Sequence, residues 1–152
     1  MHPTIIIRHR KENRKKCTLT CLESRADFTF ITYPFLESPE LTSYCILQMG
    51  APVLTQEDPI AGICLIDATW NYAEKIGKIL ACKNPNLTYR SLPPSTRTAY
   101  PRKQTGCLNP EEGLSSIEAL FVAFSILGKE KDFLLDKYYW KESFLEKNPK
   151  LL

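Results

Sequence analysis

An aspartate follows the most apolar stretch of the sequence, where a strand would lead into a helix. Residues 62–66 read Gly-Ile-Cys-Leu-Ile, typical of a strand covered on both faces, and Asp67-Ala68-Thr69-Trp70 comes next. The carboxyl end of a strand and the amino end of a helix favour anionic ligands, because backbone donors and the helix dipole point there. Helix capping by Asp67 or Thr69, with Trp70 in the core, explains the same pattern. On the residues alone we favour capping.

A second helix start follows a basic loop. Ser115-Ser116-Ile117-Glu118 is a capping box ahead of an apolar helix, which we expect to end at Gly128. Beneath a basic loop, this helix start could hold a small charged ligand, or it could be a cap and nothing more. Lys16-Cys17-Thr18 could also reach a carboxylate or phosphate, although this triplet is a weak signal. The chain contains no glycine-rich phosphate loop, zinc-protease helix or nucleophile elbow.

Positive charge is concentrated in two segments. The net charge is +3, yet residues 1–25 and 83–103 each carry a net +5, so the rest of the chain is acidic. Such segments indicate contact with a polyanion, usually phosphate, or a solvated surface. The candidate polyanion-binding residues in these segments are Arg8, Arg10, Lys11, Arg14, Lys15, Lys16, Arg97, Arg102 and Lys103.

Strands and helices that position these residues can be predicted from apolar patterning. We expect strands at residues 5–7, 28–33, 44–49, 62–66 and 87–92, and a helix from Asp67 to about Leu80 packing through Trp70, Ala73, Gly77 and Leu80. We expect a last helix over about 131–147. At 152 residues the chain fits one α/β domain, 1–152, with helices on both faces of the sheet.

The six cysteines, Cys17, Cys21, Cys45, Cys64, Cys82 and Cys107, suggest free thiols more than a disulfide scaffold. Their spacing gives little support for zinc, so we expect no metal. No stretch is long and apolar enough for a signal peptide or a membrane span. We therefore expect a cytoplasmic protein that does not act at a membrane.

Taken in order, these segments resemble the DTW-domain aminocarboxypropyl (acp) transferases and the related 18S rRNA acp transferases. Asp67-Ala68-Thr69-Trp70 is similar to the D-x-T/S-W signature, and Arg90-Ser91-Leu92-Pro93 to the R-x-L-P element that follows it. The basic loop at 100–104 and Leu114-Ser115-Ser116-Ile117-Glu118-Ala119 resemble the DTW-type loop and helix start. The segment 15–18, and Tyr139-Trp140 near the end, look more like the ribosomal branch.

The resemblance implies a SPOUT-like parallel-sheet domain with a carboxyl-terminal trefoil knot and S-adenosylmethionine as cofactor. The reaction it implies is transfer of the acp group to N3 of a uridine in structured RNA. Asp67 would remove the N3 proton or orient the base. The implied cofactor contacts are Thr18, Leu47, Ile66 and Leu92, with Ser115 or Ser116 at the helix start. We add Trp70, which together with Ala73 would pack around the methyl group of the cofactor.

Several alternatives stay open. The basic loop slightly favours tRNA as acceptor, whereas the 15–18 segment favours rRNA. A SPOUT-type RNA methyltransferase would share the pocket and the partner, and an RNA-binding ribosome-assembly module would need neither cofactor nor catalysis. The resemblance is compatible with a monomer or a homodimer.

Overall fold

The computed structural model describes residues 2–11, 18–101 and 113–151. The chain divides into two compact units. The first, called the sheet unit, comprises Met1–Pro52 and Glu57–Ser91; the second, called the helical unit, comprises Val53–Gln56 and Leu92–Leu152.

The sheet unit is built on five parallel strands. These are β1 (Thr4–His9), β2 (Phe28–Tyr33), β3 (Tyr44–Leu47), β4 (Gly62–Asp67) and β5 (Thr88–Arg90), in the order β2-β1-β4-β3-β5. The predicted α/β class and all five strands are confirmed. Residues 63–65 of β4 are buried, because this central strand is covered on both faces.

One helix, α1 (Trp70–Lys83), belongs to the sheet unit. Its buried residues are Ile76 and Leu80, which join the core around Ile7, Ile46 and Cys64. The predicted packing face was partly wrong, because Trp70 is 70% exposed. The buried face of α1 is formed by Ile76 and Leu80, and the first residue of the helix lies outside it. Asp67 ends β4, and Thr69 is the N-cap residue.

The helical unit contains α2 (Ser116–Leu127) and the short α3 (Lys141–Lys147). The capping box and the end of α2 are confirmed: Gly128 has φ of 70°, a left-handed conformation that suits glycine. The single helix predicted over 131–147 is wrong. A 3-10 helix (Asp132–Leu135) and α3 replace it; the first buries Leu134 and Leu135, and the second buries Phe144.

Candidate active site

The order in which the chain adds strands reverses at the centre of the sheet, between β1 and β4. From β1 the chain proceeds to β2 on one side, whereas from β4 it passes through α1 to β5 on the other. Parallel α/β sheets bind ligands outside the carboxyl ends of the two strands at such a point. We call the carboxyl ends of β1 and β4, with the amino end of α1, the switch-point edge.

Arg8 and Asp67 form a buried ion pair at this edge. They are paired positions on β1 and β4, and Arg8 Nε lies 3.7 Å from Asp67 Oδ2. Arg8 is 4% exposed and Asp67 9%. The Arg8 guanidinium also forms an ion pair with Glu23 and lies 4.7 Å from the centroid of the Phe30 ring. Arg8 is therefore buried beside Asp67, whereas a residue that binds the RNA backbone is expected at the surface.

Two of the predicted cofactor contacts also lie at this edge, and a third lies at the end of the strand beside it. Leu47 ends β3, Ile66 immediately precedes Asp67 in β4, and both are half-buried. Trp70 begins α1 with its indole exposed, and the Thr69 side chain makes no capping hydrogen bond. The first turn of α1 therefore presents backbone N–H groups and an exposed aromatic ring. Thr18 is half-buried and precedes a 3-10 helix, Thr20–Leu22.

A row of rings at the end of β1 and β2 was not predicted from the sequence. The centroid of His9 lies 3.9 Å from that of Tyr72, with 31° between the ring planes, and 5.6 Å from that of Tyr33. Tyr33 in turn contacts Phe35 edge-on, with centroids 5.3 Å apart. The position of His9 just after a β-branched run indicates that it ends a strand. Its ring partners are distant in sequence, so the row could not be predicted.

His9 is held in its neutral form by its surroundings. Burial, followed by the positive charges of Lys11 and Arg10, lowers the pKa of His9 from its ordinary 6.5. The Lys11 backbone N–H donates to His9 Nδ1 at 3.0 Å, so a neutral ring carries its proton on Nε2. Arg10 and Lys11 themselves are exposed at the end of β1.

In the helical unit, Glu118 collects four donors. The fully buried carboxylate accepts from Thr98 Oγ1 at 2.6 Å, Ala99 N at 2.9 Å, Ser115 N at 2.8 Å and Tyr138 Oη at 2.9 Å. The sequence predicted only the capping box, in which Ser115 N donates to the Glu118 carboxylate and Ser115 Oγ accepts from Glu118 N. Glu118 therefore ties residues 98–99 to the start of α2.

Asn148 holds the neighbouring residue of the same loop. Its Oδ1 accepts from Arg97 N at 2.8 Å, and its Nδ2 donates to Arg97 O at 2.8 Å. The Arg97 guanidinium donates to the carbonyls of Pro94 and Thr96. Asn148 and Glu118 together fix the backbone of 97–99, just before the basic loop.

The remaining predicted residues have these positions. Leu92 and Ser116 are half-buried in the helical unit, Ser116 as the first residue of α2. Arg14, Lys15, Lys16, Arg102 and Lys103 lie outside the described residues.

Neither a cluster of metal-binding side chains nor a membrane-spanning helix occurs in the part of the chain that the structure describes. No group of three or more His, Cys, Asp or Glu side chains that could hold a metal ion occurs in 2–11, 18–101 and 113–151. In those same ranges, no helix has the length and apolar character needed to cross a membrane.

Comparison with known proteins gives one informative match. No family model matches the chain, and none of the curated proteins matches it. Among solved structures, the chain is similar to the SAM-dependent rRNA:acp-transferase Tsr3 from Vulcanisaeta distributa. Sequence identity is 27% and the TM-score 0.70, over 99% of this chain and 80% of that one.

Proposed function

We propose that this protein is an S-adenosylmethionine-dependent transferase that places an acp group on N3 of a uridine in structured rRNA. The observation that carries the proposal is the likeness to the rRNA:acp-transferase Tsr3 along 99% of the chain. That likeness favours rRNA over tRNA, and the slight preference for tRNA drawn from the basic loop gains no support from it.

The residues of the switch-point edge fit the cofactor. Leu47 and Ile66 offer apolar surface, Trp70 an exposed ring, and the first turn of α1 backbone donors for a carboxylate. Bound S-adenosylmethionine supplies a sulfonium whose neighbouring carbons are already activated. Catalysis by the protein is therefore mostly positioning of the two reactants. The contacts of Thr18, Leu92, Ser115 and Ser116 remain part of the proposal.

Trp70 and Ala73 account for the choice of transferred group. They lie three residues apart on α1 and so share one side of the helix. An apolar wall formed by these two side chains would shield the methyl group and leave the γ-carbon of the methionine arm facing the acceptor.

We propose that Asp67 removes the proton from uridine N3 or orients the base. The Arg8 guanidinium lies beside the Asp67 carboxylate, with Nε 3.7 Å from Oδ2, and forms a buried ion pair with it. We expect Asp67→Asn to bind S-adenosylmethionine as the wild type does and to lower kcat by about 100-fold or more, the range of acid–base catalysis. Calorimetry and single-turnover rates measure the two quantities. Normal binding with wild-type turnover would remove Asp67 from the mechanism.

Exposed cations are proposed to hold the RNA backbone. Arg10 and Lys11 are exposed at the switch-point edge. We extend this set to Arg14, Lys15, Lys16, Arg97, Arg102 and Lys103 from the sequence. Affinity for RNA should then fall steeply with salt, because phosphate contacts release counterions. An affinity insensitive to salt would contradict this part of the proposal.

We extend the proposal to the architecture that the family resemblance implies. It comprises one acp-transferase domain over 1–152, SPOUT-like topology with a carboxyl-terminal trefoil knot, and a cytoplasmic monomer or homodimer. A crystal structure with S-adenosylmethionine bound would test the topology and the contacts together.

Product analysis tests the reaction class. The protein is incubated with S-adenosylmethionine and either rRNA or tRNA, and the released thioether is identified. Methylthioadenosine formed with rRNA supports the proposal, and methylthioadenosine formed only with tRNA reverses the choice of acceptor. S-adenosylhomocysteine would indicate a methyltransferase, and absence of cofactor binding a non-catalytic RNA-binding module.

A further inference from the structure

Tyr72 lies outside the core of the sheet unit. It belongs to α1, whose core contacts are made by Ile76 and Leu80. Its half-buried ring instead packs on His9, at the end of β1. Tyr33 and Phe35, the next rings in the row, do pack against the core. Tyr72 is thus an aromatic ring at the switch-point edge that packs against His9 and is partly exposed to solvent.

Positive charge surrounds this ring. Arg10 and Lys11 follow His9 and are exposed, and Lys75 Nζ lies 5.6 Å from the centroid of Tyr72. That separation is near the outer limit of a cation–π contact, and Lys75 is exposed, so its ammonium group can turn to another anion. Glu74, the neighbouring acid, forms an ion pair with Lys78.

His9 keeps this arrangement rigid. Its ring contacts that of Tyr72 with 31° between the ring planes, and its Nδ1 accepts the N–H of Lys11. The same side chain therefore orients the aromatic ring and anchors the backbone of the basic residue beside it. Arg8, the residue before His9, contacts Asp67. The proposed catalytic carboxylate ends β4, and Arg10 and Lys11 follow β1. Tyr72 and Lys75 lie on the first two turns of α1, which follows β4.

We propose that Tyr72 is a base-stacking residue that holds an unpaired nucleobase of the acceptor RNA strand, with Arg10, Lys11 and Lys75 on the flanking phosphates. Proteins bind single-stranded RNA in this way, with aromatic rings under the bases and cations along the backbone. The inference rests on the proposed function, since it names the place where the acceptor strand binds.

Binding to two oligonucleotides of equal charge separates stacking from phosphate contact. Fluorescence anisotropy of the full chain is measured with an oligouridylate and with an oligomer of the same length that carries abasic riboses. We expect the wild type to prefer the oligouridylate by roughly tenfold, the usual contribution of one stacked base. Tyr72→Leu should lose that preference and bind the abasic oligomer unchanged.

Three control variants fix the interpretation. Tyr72→Phe should retain the preference, because the ring remains. Arg10→Ala should lower the affinity for both oligomers by the same factor. Tyr139→Leu removes a tyrosine that is 86% exposed on the helical unit and should change neither. Preference for oligouridylate that survives in Tyr72→Leu, or that is missing in the wild type, overturns the inference.

Crosslinking gives a test that needs no variant to fold. An oligomer containing 4-thiouridine is irradiated with the wild-type protein, and the crosslinked peptides are identified by mass spectrometry. We expect crosslinks on Tyr72 or its ring neighbours Tyr33 and His9; crosslinks confined to other peptides contradict the site. Failure of the proposed function has a different signature: the base preference persists, but no S-adenosylmethionine binds and no product forms.

Discussion

Arg8 and Asp67 face each other across neighbouring strands, with 3.7 Å between Nε and Oδ2, and both are largely buried. Because each lies within a central strand, their separation is set by the register of β1 on β4. The carboxylate proposed for proton transfer is therefore part of the rigid framework of the sheet unit.

Breaking this ion pair should destabilise the protein. We expect Arg8→Ala to lower the free energy of unfolding by about 3 kcal/mol, because it removes the cation beside the buried Asp67 and also the ion pair with Glu23. Urea denaturation followed by circular dichroism measures this change. Arg25→Ala is the matched control: it breaks the exposed Arg25–Asp27 pair and should cost less than about 1 kcal/mol. Equal losses in the two variants would show that the buried ion pair contributes no more to stability than the exposed one.

The sheet was predictable from sequence because its signals are local. Apolar runs such as 62–66 mark the strands, and Ser115 with Glu118 marks the start of α2. The roles of Arg8 and His9 were not predictable, since their partners Asp67 and Tyr72 come from β4 and α1. Periodicity describes which face of an element is buried, but not which side chains meet across elements.

The last part of the chain shows the converse error. Leu134, Leu135 and Phe144 are buried as expected of apolar residues, yet they lie on a 3-10 helix and a separate short helix. An apolar pattern satisfied by two short elements is indistinguishable from that of one long helix. Tyr139, between these two elements, is exposed.

Glu118 should matter far beyond its own helix. Glu118→Gln replaces two acceptor oxygens by one and introduces a donor opposite the existing donors. We expect a loss of about 2–3 kcal/mol in the free energy of unfolding, as for hydrogen bonds to a buried charged group. Urea denaturation measures it. Glu142→Gln, at an exposed position in the first turn of α3, should change stability by less than about 0.5 kcal/mol. A tolerated Glu118→Gln would mean that other contacts, such as those of Asn148 and Lys147, are enough to hold residues 97–99.

Stability should depend on pH through His9. The folded protein lowers the pKa of His9, so the unfolded chain takes up a proton first, near 6.5, as pH falls. The contribution of neutral His9 is present above that pH and is lost on acidification below it. Urea midpoints between pH 8 and pH 5 should therefore fall less steeply in His9→Phe than in the wild type. Tyr33→Phe, which changes a neighbouring ring, should keep the wild-type steepness. Identical slopes in His9→Phe and wild type would exclude His9 as the titrating group.

Thiol reactivity should separate the cysteines by burial. Burial raises the pKa of Cys45 to about 11 and that of Cys64 to about 12, whereas Cys21 and Cys82 are exposed. In a Cys17→Ser/Cys107→Ser variant at pH 8, a thiol reagent should modify Cys21 and Cys82 rapidly, because it attacks thiolates. Cys45 and Cys64 should react only in denaturant. Peptide mapping that finds either of them modified in the native protein would contradict the packing of β3 on β4.

The central claim is that the methionine arm of S-adenosylmethionine, and not its methyl group, reaches the RNA. Two samples of the cofactor, one labelled in the carboxyl carbon and one in the methyl group, are incubated separately with the protein and rRNA, and label retained in the RNA is counted. We predict retention from the carboxyl-labelled sample alone. Retention from the methyl-labelled sample, or from neither, would contradict the account.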